Sequence, residues 1–265
     1  MSDIVEKAVH ELTDGQGFIV IEGLYDDATI AAARARISEL AGIGGEGIDR
    51  GAKARSEADT VLSGQEHVWN LIAKGRVFEE MVQEPTILAI FSRILGSDLK
   101  LGSYAARPLY PGGQAQIPHL DYPYWDLYEA ETFPMGIDGS FFMNCQVTVM
   151  LDDFTAENGA TWVAPGTQRR CAWPDPGEFD RLKVQTTGKA GSVMLMTGLL
   201  WHGSGENKTD GVRVGLLGQF LPKFVKPMED QLRSVGPDVV ARATPTLRRL
   251  LGVDYPYPQV FDAAS

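Results

Sequence analysis

The sequence predicts a mainly β protein with helices on its flanks, and three observations carry that prediction. From residue 99 to residue 222 short β-branched and aromatic runs recur, each bounded by glycine, proline or another turn former. The chain holds 29 glycines and 15 prolines, a density of punctuation that short strands joined by turns require. Helical spacing, by contrast, is confined to the first 98 residues and the last few tens. Strands of this kind close into a barrel or pack as a sandwich.

Residues 3–13 read as a helix stopped by Gly15 and Gly17, and residues 18–23 as a β-branched strand. Asp26 and Asp27 stand ahead of residues 28–40, where Ile30, Ala33, Ile37 and Leu40 recur at helical spacing before Gly42. That stretch is an amphipathic helix. Residues 42–60 are glycine-rich and charged, but no strand-then-helix context makes them a phosphate cradle, so they read as a surface loop. Helices follow around residues 77–83 and over 86–95, the latter opened by Pro85 and closed by Gly96. Strands are expected at 101–107 (ended by Pro108), 144–151, 160–164, 192–196, 199–203 and 212–220, with helices near 228–234 and 246–251. No linker divides the chain. Residues 1–265 are therefore expected to form one domain, with a helical flank over 1–98, a β core over 99–222 and a C-terminal extension over 223–265.

Composition excludes several functions. A formal net charge of −11 argues against general affinity for nucleic acid or anionic membrane. No apolar run reaches the roughly 18 residues needed to span a bilayer, and the polar N-terminus has no signal-peptide core. Cys145 and Cys171 form no metal-binding CxxC pair and are expected as reduced thiols in a cytoplasmic protein, monomer or homodimer. His10 and His67 stand apart from other ligand types and read as structural or surface residues.

His119 and Asp121 lie two apart in a segment that reads as a strand or strand-edge bulge, so imidazole and carboxylate face the same way. Such a pair becomes a facial ferrous-iron site when a second histidine joins it, leaving coordination positions open for co-substrate and O2. His202, 81 residues after Asp121, supplies that histidine. Arg213 follows eleven residues later in an apolar strand, where an unpaired charge is costly. A 2-oxoglutarate co-substrate buries a distal carboxylate that needs such a guanidinium, and the Ser204 hydroxyl is placed to donate to it.

These residues, with residues 146–161, the Val163–Thr167 stretch and residues 202–207, resemble the phytanoyl-CoA hydroxylase-like (PhyH) family of Fe(II)/2-oxoglutarate-dependent dioxygenases. The similarity runs from about residue 10 to residue 222. It implies a double-stranded β-helix (jelly-roll, cupin-like) core with His119, Asp121 and His202 as catalytic iron ligands at its mouth. It implies that Arg213 and Ser204 bind the distal carboxylate, with Thr161, Gln116 and Gln146 as further co-substrate contacts, and with Fe(II), 2-oxoglutarate, O2 and ascorbate as an activator. One departure is Pro165-Gly-Thr-Gln168, where the family often has Pro-Gly-Ser-His; an altered substrate-side loop is expected there. Asp121 stands where halogenating relatives carry a small residue, so hydroxylation or a related oxidation is favoured over chlorination.

Two aromatic stretches, residues 122–133 and 167–189 with Trp173 and Phe179, are expected to shape the cavity for a small, hydrophobic, natural-product-like substrate. Acidic residues in the first argue against a coenzyme A thioester, whose phosphates need a basic rim. The competing readings are a cupin-like metal enzyme without 2-oxoglutarate, which needs no Arg213, and a non-catalytic small-molecule-binding barrel, which needs no triad.

Overall fold

A computed structural model describes residues 2–44, 67–121 and 140–254. Two antiparallel sheets face one another in a jelly-roll core. The strands are β1 (Phe18–Ile21), β2 (Lys100–Leu109), β3 (Cys145–Met150), β4 (Thr161–Val163), β5 (Val184–Thr186), β6 (Val193–Thr197), β7 (His202–Ser204) and β8 (Arg213–Leu221). The large sheet runs β1-β6-β3-β8-β2 and the small one β5-β4-β7.

The period-two alternation of the large sheet decides what each face does. Val147, Val149, Val193, Leu195, Val214, Leu216 and Phe220 face outward into the main apolar core. Gln146, Thr148, Met194, Met196, Leu217 and Gln219, their neighbours in sequence, face inward and line a cavity between the sheets. Register makes these inward residues cross-strand partners: Gln146 opposes both Met196 and Gln219, and Thr148 opposes Met194 and Leu217.

Helices cover the outer face. These are α1 (Ser2–Thr13), α2 (Asp27–Ala41), α3 (Arg76–Met81), α4 (Pro85–Leu95), α6 (Gln231–Arg242) and α7 (Pro245–Leu251), while α5 (Pro176–Leu182) lies beside the small sheet. Phe91 of α4 meets Phe220 of β8 with ring centroids 5.2 Å apart, a tilted pair of the kind aromatic quadrupoles favour. Asp26 caps α2 by accepting from the Thr29 N–H at 2.7 Å, and Gly42 ends it in the left-handed conformation.

The helical flank is not separate from the sheet. Its strand β1 pairs with β6 from Phe18↔Met196 to Ile21↔Val193. The strand expected to stop at Pro108 continues to Leu109. Proline is tolerated because β2 is an edge strand, where a missing N–H leaves no ladder bond unmade on the open side. The strand expected over 199–203 begins only at His202, because Leu200 N–H bonds back to Thr197 O in a turn. The helix expected near 228–234 starts at Gln231 and runs on to Arg242, across a kink at Gly236. Most of the 42–60 loop and all of the aromatic stretch after Asp121 lie outside the described residues. No helix among the described residues is long and apolar enough to cross a membrane.

Candidate active site

The cavity gathers the predicted residues from both sheets. Gln116, His119, Asp121, Gln146, Thr161, His202, Ser204 and Arg213 all line it. His119 reaches it from a segment held against β7 by an isolated bridge at His202 and by Gln116 N, which donates to Ser204 O at 3.0 Å. Asp121 is fixed by its own N–H, which donates to Gly198 O at 2.9 Å. The three candidate metal ligands each offer an atom within 4.8 Å of the others. His202 Nε2 lies 3.2 Å from Asp121 Oδ2, and His119 Nε2 lies 3.8 Å from Asp121 Oδ1.

The donor set fits a divalent cation on a second ground. Both imidazoles use Nδ1 on a backbone carbonyl, His119 with Ile117 O and His202 with Leu200 O, each at 2.9 Å. An Nδ1–H donating to a carbonyl leaves the Nε2 lone pair free for a metal, and fixes the ring's orientation. Burial and the neighbouring His202 push the His119 pKa down to about 4. Burial alone would lower the His202 pKa too, but the Asp121 carboxylate outweighs it and raises the value. Burial also opposes ionisation of Asp121, yet His202, His119 and Gln146 together hold it well below the usual carboxylate range. Gln146 acts by donating its amide Nε2 to Asp121 Oδ2, so it orients the carboxylate.

Arg213 occupies the other end of the cavity and is buried. Its Nη2 donates to Gly159 O at 2.7 Å, and its guanidinium lies 4.2 Å over the Phe154 ring. Burial and the nearby Arg107 lower its pKa to about 9, so it stays cationic at neutral pH. The strand end that carries it is pinned by Asp152, which accepts from Val214 N at 2.8 Å and from Arg34 Nε at 3.0 Å.

Two expectations need correction. Residues 167–189 do not line the cavity; Phe179 packs with Leu120, Ala164 and Trp201, bracing the strand that carries His202 from behind. Thr167 serves the same purpose, its hydroxyl accepting from Trp201 N at 3.0 Å. Gln168 is buried and donates to Gly15 O at 3.1 Å, so the departure from Pro-Gly-Ser-His braces the α1–β1 turn and forms no part of the cavity lining. His67 is exposed, as expected for a surface residue; it stacks on Trp69 with centroids 4.9 Å apart, and both line the cavity.

Arg107 escaped the sequence reading altogether. It faces the cavity from β2 in step with Ser103 and Ala105, while Tyr104 and Ala106 point to the core. Its signal was akin to the one that marked Arg213, a cation set in a mostly apolar run, Tyr104-Ala-Ala-Arg-Pro-Leu109. Gln116 Oε1 accepts from Arg107 Nη1 at 2.8 Å and from Ser204 N at 2.9 Å, so this glutamine ties Arg107 to β7.

A jelly roll with two histidines and a carboxylate at its mouth, and a buried arginine beyond them, defines the non-haem Fe(II)/2-oxoglutarate-dependent dioxygenases. Within that class, residues 13–215 match the phytanoyl-CoA dioxygenase (PhyH) family, and the chain belongs to it. It is 28% identical over 89% of its length to the uncharacterised protein Rv1501 of Mycobacterium tuberculosis, covering 82% of that protein. It is 30% identical over 70% of its length to the dioxygenase trt7 of Aspergillus terreus, covering 64% of that protein. Among solved structures, the epimerase SnoN in complex with Fe3+, alpha-ketoglutarate and nogalamycin RO superposes with a TM-score of 0.64 at 18% identity, over 86% of this chain and 88% of that one. HygX from Streptomyces hygroscopicus, with nickel, 2-oxoglutarate and hygromycin B bound, superposes with a TM-score of 0.60 at 18% identity, over 84% and 89% of the two chains.

Proposed function

We propose that this dioxygenase oxidises a C–H bond of a small, largely hydrophobic organic molecule of natural-product type. In this reading His119, Asp121 and His202 hold Fe(II), and Arg213 with Ser204 holds the distal carboxylate of 2-oxoglutarate. When bound, the metal with its co-substrate would couple oxidative decarboxylation, which places one oxygen atom of O2 in succinate and releases CO2, to oxidation of a substrate C–H bond by the other oxygen atom.

The chain's own residues then have distinct tasks. The two backbone carbonyls keep both Nε2 atoms aimed at one point, and Gln146 turns the Asp121 carboxylate towards it. Arg213 supplies a preset cation at the far end, with Thr161 beside Ser204 through the pairing of β4 and β7. The apolar inner walls, Met194, Met196 and Leu217, exclude water between those ends. Trp69 and Met228, half exposed where they line the cavity, offer an apolar surface to an incoming ring. Two structural neighbours carry nogalamycin RO and hygromycin B, which supports a natural-product substrate.

The observation that carries the proposal is the buried Arg213 facing the same cavity as the triad. A cupin-like enzyme without 2-oxoglutarate has no use for it. Anaerobic addition of Fe(II) and 2-oxoglutarate should give a visible metal-to-ligand charge-transfer band, lost in His202→Ala and strongly weakened in Arg213→Ala. A band unchanged in both variants would sink the assignment. Succinate release measured across a library of small molecules then identifies the substrate class.

A further inference from the structure

Arg107 is the charged group in the cavity that the proposed reaction does not use. It is buried to 9% exposure, and of its three guanidinium nitrogens only Nη1 is bonded, to Gln116 Oε1. Nε and Nη2 are buried without a partner. A guanidinium stripped of water with two donors unsatisfied is strongly destabilising. Such a group is retained where something else completes it. Nε and one Nη form the edge of the fork that grips a carboxylate through two parallel bonds.

Its surroundings say what is missing. Gly215 is its cross-strand partner on β8, and Arg213 stands two residues before that glycine on the same face. Asp121 and the two histidines are within electrostatic reach on the other side. Arg107 therefore lies between the metal end and the Arg213 end. Among the described lining residues the fixed charges are two guanidiniums, Arg107 and Arg213, against the single carboxylate of Asp121. Asp152, which also acts on Arg213, is already bonded to Arg34. A divalent metal and a dianionic 2-oxoglutarate cancel one another. Among the described lining residues one positive charge then stays unmatched.

We propose that Arg107 is the receptor for a second carboxylate in the active site, distinct from the one assigned to Arg213 and oriented by Gln116. This rests on the iron and 2-oxoglutarate reading of the cavity and extends it. The carboxylate has two sources: the metal-proximal end of 2-oxoglutarate, or an acid group on the substrate itself. The charge count favours the substrate, which would make it an apolar molecule bearing a carboxylate.

Two titrations separate these sources, using full-length wild type, Arg107→Met and Arg107→Lys. The first follows the charge-transfer band as 2-oxoglutarate is added to the anaerobic Fe(II) protein. The second adds benzoate, a ring-bearing monocarboxylate, to the protein already loaded with 2-oxoglutarate and follows the shift of that band. If the substrate is the source, Arg107→Met binds 2-oxoglutarate within twofold of wild type but loses the benzoate response at least tenfold. If the co-substrate is the source, its half-saturating concentration rises at least tenfold in Arg107→Met. Arg107→Lys, keeping the charge without the fork, should recover part of the loss in either case. Curves for Arg107→Met that superimpose on wild type in both titrations overturn the proposal. The melting temperature of ligand-free Arg107→Met should equal or exceed wild type, since an uncompensated buried charge is removed. A wild-type protein with no band at all would remove the iron and 2-oxoglutarate reading instead. The upward thermal shift that benzoate gives metal-free wild type, and its presence or absence in Arg107→Met, would then still decide for or against a carboxylate at Arg107.

Discussion

His119 and His202 are backbone partners: each donates its N–H to the other's carbonyl at 2.9 Å, the reciprocal pair of an antiparallel ladder. Directly opposed residues share a face, and the two rings accordingly lie 4.3 Å apart between centroids. Separation in sequence is thus erased by register. The metal site is built from main-chain hydrogen bonds before any metal arrives.

Metal affinity should depend on pH through His202. Its pKa is raised by the Asp121 carboxylate, so metal must displace a proton there once pH falls below that raised value, whereas His119, lowered to about 4, carries none across the same range. Affinity is then full at high pH and falls about tenfold per unit once pH drops below the His202 value. Fe(II) or Ni(II) titrations between pH 8 and pH 5.5 check this, and a flat profile would contradict it.

Arg213→Met should raise KM for 2-oxoglutarate about 100-fold or more, with Arg213→Lys recovering part of it. Truncating one partner of a buried charge pair costs about 2–5 kcal/mol, and a lysine restores charge without the two-pronged geometry. Steady-state succinate formation against 2-oxoglutarate concentration measures both. A KM unchanged in the methionine variant would place the distal carboxylate elsewhere.

The candidate metal ligands were legible because their signal is local. His119 and Asp121 share a face by strand periodicity alone, and His202 sits in a short motif. Arg107 stood last in its expected strand, against Pro108, and only the edge position of β2 lets the strand continue and set that side chain between the sheets. The tasks of Gln116 and Gln146 were equally hidden. Sequence places both near the site, but tertiary packing turns one to Arg107 and the other to Asp121. Strand β5, only three residues long with two of its side chains not fully buried, gives no alternation to detect.

Asp152→Ala should destabilise the protein by about 1–3 kcal/mol and raise KM for 2-oxoglutarate, with little change in kcat. The carboxylate serves the Val214 N–H and Arg34 together, so its removal leaves a donor unsatisfied and a cation unpaired. Val214 is the residue after Arg213, and its slackening should blur the position of the guanidinium. Thermal unfolding and the split between KM and kcat test this; a lower melting temperature with unchanged KM would confine Asp152 to a purely structural part.

Gly159→Ala should combine both effects. The residue has φ of +82°, and a Cβ there would meet Leu109 Cδ2 at 2.5 Å and Gly205 O at 2.7 Å. Alanine is therefore strained by conformation and blocked by backbone that cannot swing aside. A loss of about 2–4 kcal/mol is expected, in the range of disfavoured buried substitutions. Function should suffer beyond that loss, because Gly159 O is the acceptor that holds Arg213 Nη2. Relieving the strain means moving that carbonyl, and the guanidinium moves with it. Measured at a temperature where the variant is fully folded, KM for 2-oxoglutarate should still rise several-fold, and a KM equal to wild type there would show that Phe154 and the Asp152 anchor suffice to aim Arg213.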